Sequence, residues 1–387
     1  MLVLVAALVL APTATAAPAA PGGATKVIGA TDSVIDQLAV SAVDAVQDYW
    51  RRTMPASFGR PWRELRGGFY AVDTTKPNGR LPGCISHVEE LVDQAVYCPA
   101  SDAVAWDSGH LLPEIQRRFG DAAVVVVIAH EIGHAVHYRL GLAQAIASEP
   151  QRWPTILVEA VADCFTGAAM SDIRARSAAA LRIDRKQLDN ALRALITFRD
   201  PVGTAASEEN AHGNAFDRVS AFQDGYRHGA AACAAMTIDN RVFTERRFGS
   251  SDDAARAGNL PIDQLLESVS TDAGSWYGQL VASRGGQAWR APALVVEPAP
   301  ACPAAGDQGP VQFCATTGAV TADVAALRPL VDSIGDYAGG MLLASRYGLA
   351  ALGALQEPVE GATAGRRALC LAGAYSASLF DRQDGFT

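Results

Sequence analysis

One apolar stretch, Val124 to Leu140, constrains the chain more than any other because it carries the pattern H-E-x-x-H. On an α-helix, His130 and His134 lie one turn apart and project from the same side, so both imidazoles can bind one Zn²⁺ at roughly 2.0–2.1 Å. Glu131 points about 100° around the helix, where it can hold a water without ligating the metal. The pattern predicts a hydrolytic zinc site in which Glu131 accepts a proton from that water.

The same stretch has an alternative interpretation as a strand, because the five residues from Val124 to Ile128 are all β-branched. In a strand the two histidines would also share one face, but they would lie two pleats apart, which is poor for chelation. Gly133 costs about 1 kcal/mol in a helix interior, and crowding against the metal or a neighbouring strand would explain its presence. We expect a buried helix.

Composition and charge exclude some classes of partner. The chain has 387 residues, 49% of them apolar, which is enough to bury one large core or two. Its formal net charge of −9 and its isoelectric point near 5.3 argue against binding to nucleic acid or to an anionic membrane surface.

The beginning of the chain is typical of an exported protein. Met1 to Leu10 is a short apolar run, and Ala14-Thr15-Ala16 follows as a small-residue cleavage site. We therefore predict a signal peptide over residues 1–23 and a secreted or cell-envelope location. An uncleaved N-terminal anchor is the alternative, and the missing basic residues indicate a true start further upstream.

Two carboxylates follow the zinc pattern on a second predicted helix. Glu159 and Asp163 are four residues apart, hence on one helix face, and their neighbours are apolar. Buried carboxylates are costly unless they are satisfied. A metal would satisfy them, with Glu159 as third ligand and Asp163 as the acceptor that orients a ligating histidine. An exposed acidic pair is the alternative, which the apolar neighbours disfavour.

His212 is the remaining candidate for catalysis. It lies just before a helix predicted to begin near Asn214, where it could donate a hydrogen bond to a developing oxyanion. A surface histidine that caps the helix explains the same position almost as well. Elsewhere, Cys84 and Cys98 bracket a loop and a strand-like segment, and in an exported protein they are expected to form a disulfide.

Taken together, these residues resemble the neutral zinc metallopeptidase family of bacterial exported proteins, within the zincins. The resemblance covers about Ser33 to Met236. The matching pieces are Tyr97-Cys98-Pro99, Asp107, Ala129 to His134, Glu159 to Gly167, and His212-Gly213 with Arg218, Phe222, Gly225 and Cys233.

The resemblance implies that His130, His134 and Glu159 ligate Zn²⁺ and that Glu131 is the general base. It is accompanied by a predicted second disulfide, Cys164–Cys233, which would tie the Glu159 helix to the helix after His212. The chain departs from the family pattern at Ala135, His137 and Asn214, and these departures concern specificity rather than the ligands.

The C-terminal part repeats the zinc unit in degenerate form. The paired landmarks are Tyr97-Cys98 with Phe313-Cys314, Phe119-Gly-Asp121 with Ile334-Gly-Asp336, and Cys164 to Gly167 with Cys370 to Gly373. Ser345, Arg346 and Leu349 then stand in the places of the H-E-x-x-H residues, so this copy is expected to bind no metal. Shared Ala-rich composition is the alternative explanation.

If the two copies correspond, Cys302 pairs with Cys314 as Cys84 pairs with Cys98. Cys370 matches Cys164, and a counterpart of Cys233 would fall beyond Thr387. This accounts for the odd number of cysteines, seven, and predicts that the natural chain continues.

The expected fold is α+β and zincin-like, with a small antiparallel or mixed sheet packed on the long H-E-x-x-H helix and a mainly helical second half. We expect a metallopeptidase domain over residues 24–289, a Pro/Ala-rich linker over 290–310 and the incomplete repeat over 311–387. Helical segments at Ile262 to Leu280 are expected to complete the first domain.

Two functions from different classes fit the sequence. The first is a secreted zinc-dependent endopeptidase that hydrolyses peptide or protein substrates, aligned along an edge strand formed by Gln94 to Tyr97 or by Ala103 to Asp107. The second is a non-catalytic envelope scaffold that keeps zinc for stability. An intact Glu131 argues against the scaffold, since a structural site has no use for a general base.

Overall fold

A computed structural model describes residues 25–77, 79–176, 181–201, 204, 208, 211–243, 248–296 and 308–381. The predicted signal peptide lies outside these residues. The chain divides into two compact units, Met1–Glu245 and Arg246–Thr387. Within the described ranges, no helix has both the length and the apolar character needed to cross a membrane.

Unit 1 combines a four-stranded sheet with a set of helices. Its strands are β1 (Val27–Ile28), β2 (Gly68–Val72), β3 (Ala95–Cys98) and β4 (Ala103–Asp107). Its helices are α1 (Val34–Phe58), α2 (Leu111–Phe119), α3 (Asp121–Arg139), α4 (Leu142–Ser148), α5 (Thr155–Arg176), α6 (Arg185–Thr197), α7 (Ala215–His228) and α8 (Ala230–Ala234).

The sheet is mixed, with the strand order β1-β2-β4-β3. β1 and β4 run parallel to β2, whereas β3 runs antiparallel to β4. Every residue of β4 is buried, since this strand has a neighbour on each side. Of the two candidate edge strands, β3 is therefore at the edge and β4 is not.

The β-branched run forms a helix, as expected. It is the first half of α3, which begins after Gly120 and is buried on almost every side. A helix that is apolar all round fits the centre of a core, here between α1, α5 and α6.

The structure places Gly133 at the crossing of two helices, and not beside a strand. A Cβ at this position would lie 3.0 Å from the carbonyl oxygen and 3.3 Å from the Cα of Ala162 on α5. This close approach accounts for the glycine, and the expected crowding against a neighbouring strand is wrong.

The helices α5 and α7 approach each other even more closely. A Cβ at Gly167 would lie 1.9 Å from the carbonyl oxygen of Phe222, and a Cβ at Gly225 would lie 1.7 Å from that of Cys164. Cys164 and Cys233 lie at disulfide distance, with their Cα atoms 5.5 Å apart. Backbone contact at the two glycines holds α7 against α5, and the cysteine pair joins α5 to α8, the helix that follows α7.

Unit 2 has its own sheet, core and helices. Its elements are α9 (Ser251–Ala255), α10 (Ile262–Ser283), β5 (Leu294–Val296), β6 (Val311–Cys314), β7 (Ala319–Ala322), α11 (Val324–Ile334), α12 (Asp336–Ala354) and α13 (Gly361–Asp381). The strand order is β5-β7-β6, with β5 parallel and β6 antiparallel to β7.

Two expectations about domain organisation need correction. The helix α10 does not complete the first domain, because Leu265, Leu266 and Val269 are buried in the core of unit 2. The expected linker at 290–310 contains β5, which pairs in parallel with β7. The Pro/Ala-rich composition around this short strand concealed it.

The cysteines of the two units differ in their pairing. Cys84 and Cys98 lie at disulfide distance, with Cα atoms 5.8 Å apart. Cys314 is disulfide-bonded, and Cys302, its expected partner, lies outside the described residues. Cys370 is exposed and free.

Candidate metal centre

Three side chains from two helices converge between α3 and α5. The Nε2 atom of His130 lies 3.0 Å from Glu159 Oε2, and the Nε2 atom of His134 lies 3.3 Å from Glu159 Oε1. The two Nε2 atoms are 3.1 Å apart. All three groups are largely shielded from solvent.

These positions fit a zinc ion. A tetrahedral ion bound at roughly 2.0–2.1 Å places its ligand atoms about 3.4 Å apart, close to the separations observed here. Neutral imidazole nitrogen and carboxylate oxygen are ligands that Zn²⁺ accepts. The described residues thus place His130, His134 and Glu159 as a group that could hold the metal.

A buried carboxylate fixes the orientation of His130. The Nδ1 atom of His130 lies 2.8 Å from Asp163 Oδ1, and Asp163 is completely buried. An ionised carboxylate only accepts hydrogen bonds. His130 Nδ1 therefore carries the hydrogen, and its Nε2 is left to point at the metal position.

Arg218 on α7 holds Asp163 from the other side. Its Nε and Nη2 atoms donate to the two carboxylate oxygens at 2.9 and 3.0 Å, and Nη1 donates to the carbonyl of Phe198 at 2.8 Å. This bidentate contact compensates the burial of both charges. Arg218 was part of the family pattern, but the sequence alone gave it no role.

The pKa values of the group report a strongly anionic pocket. Burial disfavours the charged form of His130, yet Asp163 and Glu159 raise its pKa to about 10. Burial also opposes ionisation of Asp163, and Arg218 and His130 nevertheless lower the pKa of that carboxyl. The pKa of Glu159 is likewise lowered by both histidines against the effect of its burial. The site therefore attracts a cation.

Glu131 lies beside the ligands without joining them. Burial raises the pKa of its carboxyl, and the positive charge of the two histidines opposes that rise. The backbone N–H of Tyr97 on β3 also hydrogen-bonds the carboxylate. Glu131 is thus held between the metal position and the edge strand.

A cleft opens from the metal position. Glu131, His130, Arg218 and His212 line it together with Asp93 and Gln94 next to β3. The rest of the wall is apolar and comes from β3, α2, α3, α6 and the residue after α6, namely Ala95, Leu111, Val126, Val127, Ala194, Leu195 and Phe198. The cleft therefore connects the metal position with the start of β3.

His212 is in the cleft, as a residue that acts on substrate must be. Its side chain is 44% exposed, and its Nδ1 lies 3.7 Å from Asp200 Oδ1. Asp200 also accepts from the backbone N–H of Gly213 at 2.6 Å. Asn214 caps α7 with its own side chain, so His212 does not. Asp200 had no motif in the sequence that could have identified it.

A second group of possible ligands is present nearby in unit 1. Asp93, Asp107 and His110 bring their polar atoms together. Asp107 accepts from the backbone N–H groups of Gly109 and His110, and Asp93 contacts the His110 ring. These contacts give the polar groups of the three side chains partners at the start of α2, so their arrangement is explained without an ion.

Comparison with known proteins agrees with this geometry. No curated protein and no solved structure matches the chain. Residues 89–236 match the sequence model of one family, and this segment contains all three candidate ligands as well as Glu131, Asp163, His212 and Arg218. That family implies Zn²⁺ as the cofactor, and it is described as "Putative neutral zinc metallopeptidase".

Proposed function

We propose that the protein is a zinc-dependent endopeptidase that acts outside the cytoplasm. The observation that carries the proposal is the convergence of three ligand atoms from α3 and α5 beside the carboxyl of Glu131, at the wall of an open cleft. A purely structural zinc site is closed by four protein ligands. Here three ligands and an adjacent base support a catalytic site.

In this proposal each residue has a separate task. When bound, Zn²⁺ would lower the pKa of a water and polarise the scissile carbonyl. Glu131 accepts the proton of the attacking water and then delivers it to the leaving amine. His212 donates a hydrogen bond to the oxyanion from the nitrogen that does not face Asp200. Asp163 and Arg218 keep His130 in the tautomer that leaves Nε2 free.

Substrate would bind by adding a strand to β3. The outer edge of β3 has no neighbour in the described sheet, and Tyr97 on this strand contacts Glu131. Main-chain hydrogen bonds to an edge strand give affinity without requiring a particular side chain. The apolar wall of the cleft supports a preference for an apolar residue close to the scissile bond.

The export of the protein is supported by one coarser finding. Two cysteine pairs lie at disulfide distance, which is typical of an oxidising compartment.

We also propose that unit 2 is a copy of the zinc unit without its chemistry. The strands β5, β6 and β7 have the order and directions of β2, β3 and β4. Gly348 on α12 faces Ala368 on α13 much as Gly133 faces Ala162. On α12, Arg346 donates to the carbonyl of Val311, so it serves as a link to β6.

The decisive experiment combines metal analysis with a peptide-library cleavage assay on the purified protein. We expect one zinc per chain and cleavage that a chelator abolishes and added zinc restores. The matched control is Glu131→Gln, which should keep the zinc and lose the cleavage. Zinc bound at full occupancy with no cleavage of any peptide would instead favour the scaffold.

A further inference from the structure

Unit 2 contains an apolar groove between β5 and α10. It is lined by Leu294 and Val296 of β5, by Ile262 and Leu266 of α10 and by Val324. β5 is an edge strand in the described sheet, paired only with β7. Val296 is 48% exposed. An open apolar strand edge is a template for the addition of another strand.

In unit 1, the equivalent position beside β2 is occupied by another strand. β1 lies along the edge of β2, parallel to it, with Val27 opposite Phe69. Val27 packs into the core, and the segment is tied to α1 where Asp44 accepts from the Thr25 N–H at 2.9 Å. The groove of unit 1 is thus occupied by an extended segment of the chain itself.

The strand pairings beside these two positions correspond. In unit 1, Phe69 lies opposite Val104 of the central strand, and in unit 2, Leu294 lies opposite Val320. Val104 and Val320 are both the second residue of their strand. Leu294 therefore takes the place of Phe69, and the partner of Leu294 would take the place of Val27.

Each unit also has an acidic residue in the first turn of a helix, at the third residue of α1 and at the second residue of α10. In unit 1, Asp36 in the first turn of α1 accepts from both the backbone N–H and the hydroxyl of Thr31, at 2.8 and 2.6 Å. In unit 2, Asp263 in the first turn of α10 lines the groove and is exposed. Within the described part of the chain, its side chain has no hydrogen bond or ion pair.

The chain that precedes α10 does not take the route of β1. The N–H of Leu260 binds Asp336 at 2.8 Å, and the N–H of Asp336 binds the side chain of Asn259 at 3.1 Å. These bonds direct the segment toward the start of α12. In the described ranges of unit 2, no strand pairs with the outer edge of β5 as β1 pairs with β2 in unit 1.

We propose that this groove is a docking site for an extended segment of a partner protein, which adds to β5 as a parallel strand. The apolar lining selects aliphatic side chains at alternate positions. The exposed carboxylates of Asp263 and Glu267 at the rim select a basic residue beside them. The site is separate from the metal centre and does not depend on the proposed peptidase activity.

The probe for this site is a labelled peptide with the sequence of residues 25–31, Thr-Lys-Val-Ile-Gly-Ala-Thr, which contains the strand that fills the equivalent groove. Binding is measured by fluorescence anisotropy on the full chain carrying Glu131→Gln, so that the peptide stays intact. We expect saturable binding, and weakening of about tenfold or more when Asp263→Lys is added. A peptide with Asp in place of Val27 should not bind.

Exposed positions provide matched variants that leave the core intact. Val296→Glu should also weaken binding, whereas Ile334→Glu should not, although the two side chains are equally exposed, at 48% and 47%. Asp252→Lys is the control for Asp263→Lys. Failure of the peptide to bind, or equal affinity in all four variants, would overturn the proposal. Self-association of the chain that Val296→Glu abolishes would overturn it in favour of a second copy as the occupant.

Discussion

Asp163 shows how much of the candidate metal centre depends on one residue outside the group of candidate ligands. It lies between His130 and Arg218 and has no exposed surface. The position of Asp163 four residues after Glu159 predicts its contact with a histidine. Its contact with Arg218 requires α7 to cross α5, and no local pattern in the sequence specifies that crossing.

Replacement of the ligands and of the base should have separable effects. Glu131→Gln should keep zinc and reduce hydrolysis by about 10²–10⁴-fold, because only proton transfer is lost. His134→Ala and Glu159→Ala should lose zinc. Metal content and cleavage rate, measured on the same samples, check this. Peptide cleavage by Glu131→Gln at the parent's rate would refute the mechanism, and full zinc content in Glu159→Ala would exclude that ligand.

Arg218→Met should weaken zinc binding by about 10–100-fold, because Asp163 loses the cation that fixes it toward His130. The measurement is competition with a chromophoric chelator. Arg241→Met is the matched control, since Arg241 is also shielded and binds Asp224 at 3.0 Å without contacting Asp163. Equal zinc affinity in both variants would mean that Arg218 only stabilises the fold.

The burial of His137 should make the stability of unit 1 decrease at acidic pH. Burial lowers the pKa of its imidazole to about 3, against an ordinary value of 6.5. Between these values the unfolded chain binds a proton that the folded chain does not. The free energy of unfolding should therefore fall by roughly 1.4 kcal/mol for each pH unit below 6.5. Urea unfolding at several pH values should show a shallower slope for His137→Gln, and an unchanged slope would remove His137 as the cause.

Among the elements, the contact between α5 and α7 connects the helix of the candidate ligand Glu159 to the helix of Arg218. The two helices approach at Gly167 and Gly225, where no side chain fits. Gly167→Ala should lower the free energy of unfolding of unit 1 by about 1–3 kcal/mol, as overpacking does. Gly373→Ala on α13 is the control, because open space surrounds that position. It should stabilise its helix by up to about 1 kcal/mol. Equal effects of the two changes would contradict the close approach.

The sequence predicted long elements and pairings within one motif better than contacts between distant segments. The strand at Ala103–Asp107 has its expected limits, and the stretch from Val124 to Leu140 is helical up to Arg139. The short strands β1 and β5 were missed, because two or three residues show no alternation that a pattern can detect. The explanation of Gly133 failed for a related reason, since only the packed structure shows which helix crosses it.

For the whole molecule, the main difference from expectation is the boundary between the units. The expected first domain extended to residue 289, but the chain divides between residues 245 and 246. The apolar pattern of α10 shows that the helix is buried on one face, without showing in which core. The structure has two separate cores, one around α3 and one around α12. The buried side chains of α10 belong to the second core.

Two cores predict two unfolding transitions, of which only one should respond to metal. Zinc is proposed to bind the folded form of unit 1, so its loss should remove a stabilisation that grows with the ratio of metal concentration to dissociation constant. Calorimetry of the full chain should show that a chelator lowers the melting temperature of one transition and leaves the other unchanged. Glu159→Ala should reproduce this shift without chelator, and the chelator should then have no further effect. A single transition, or a shift of both, would show that the two units unfold together.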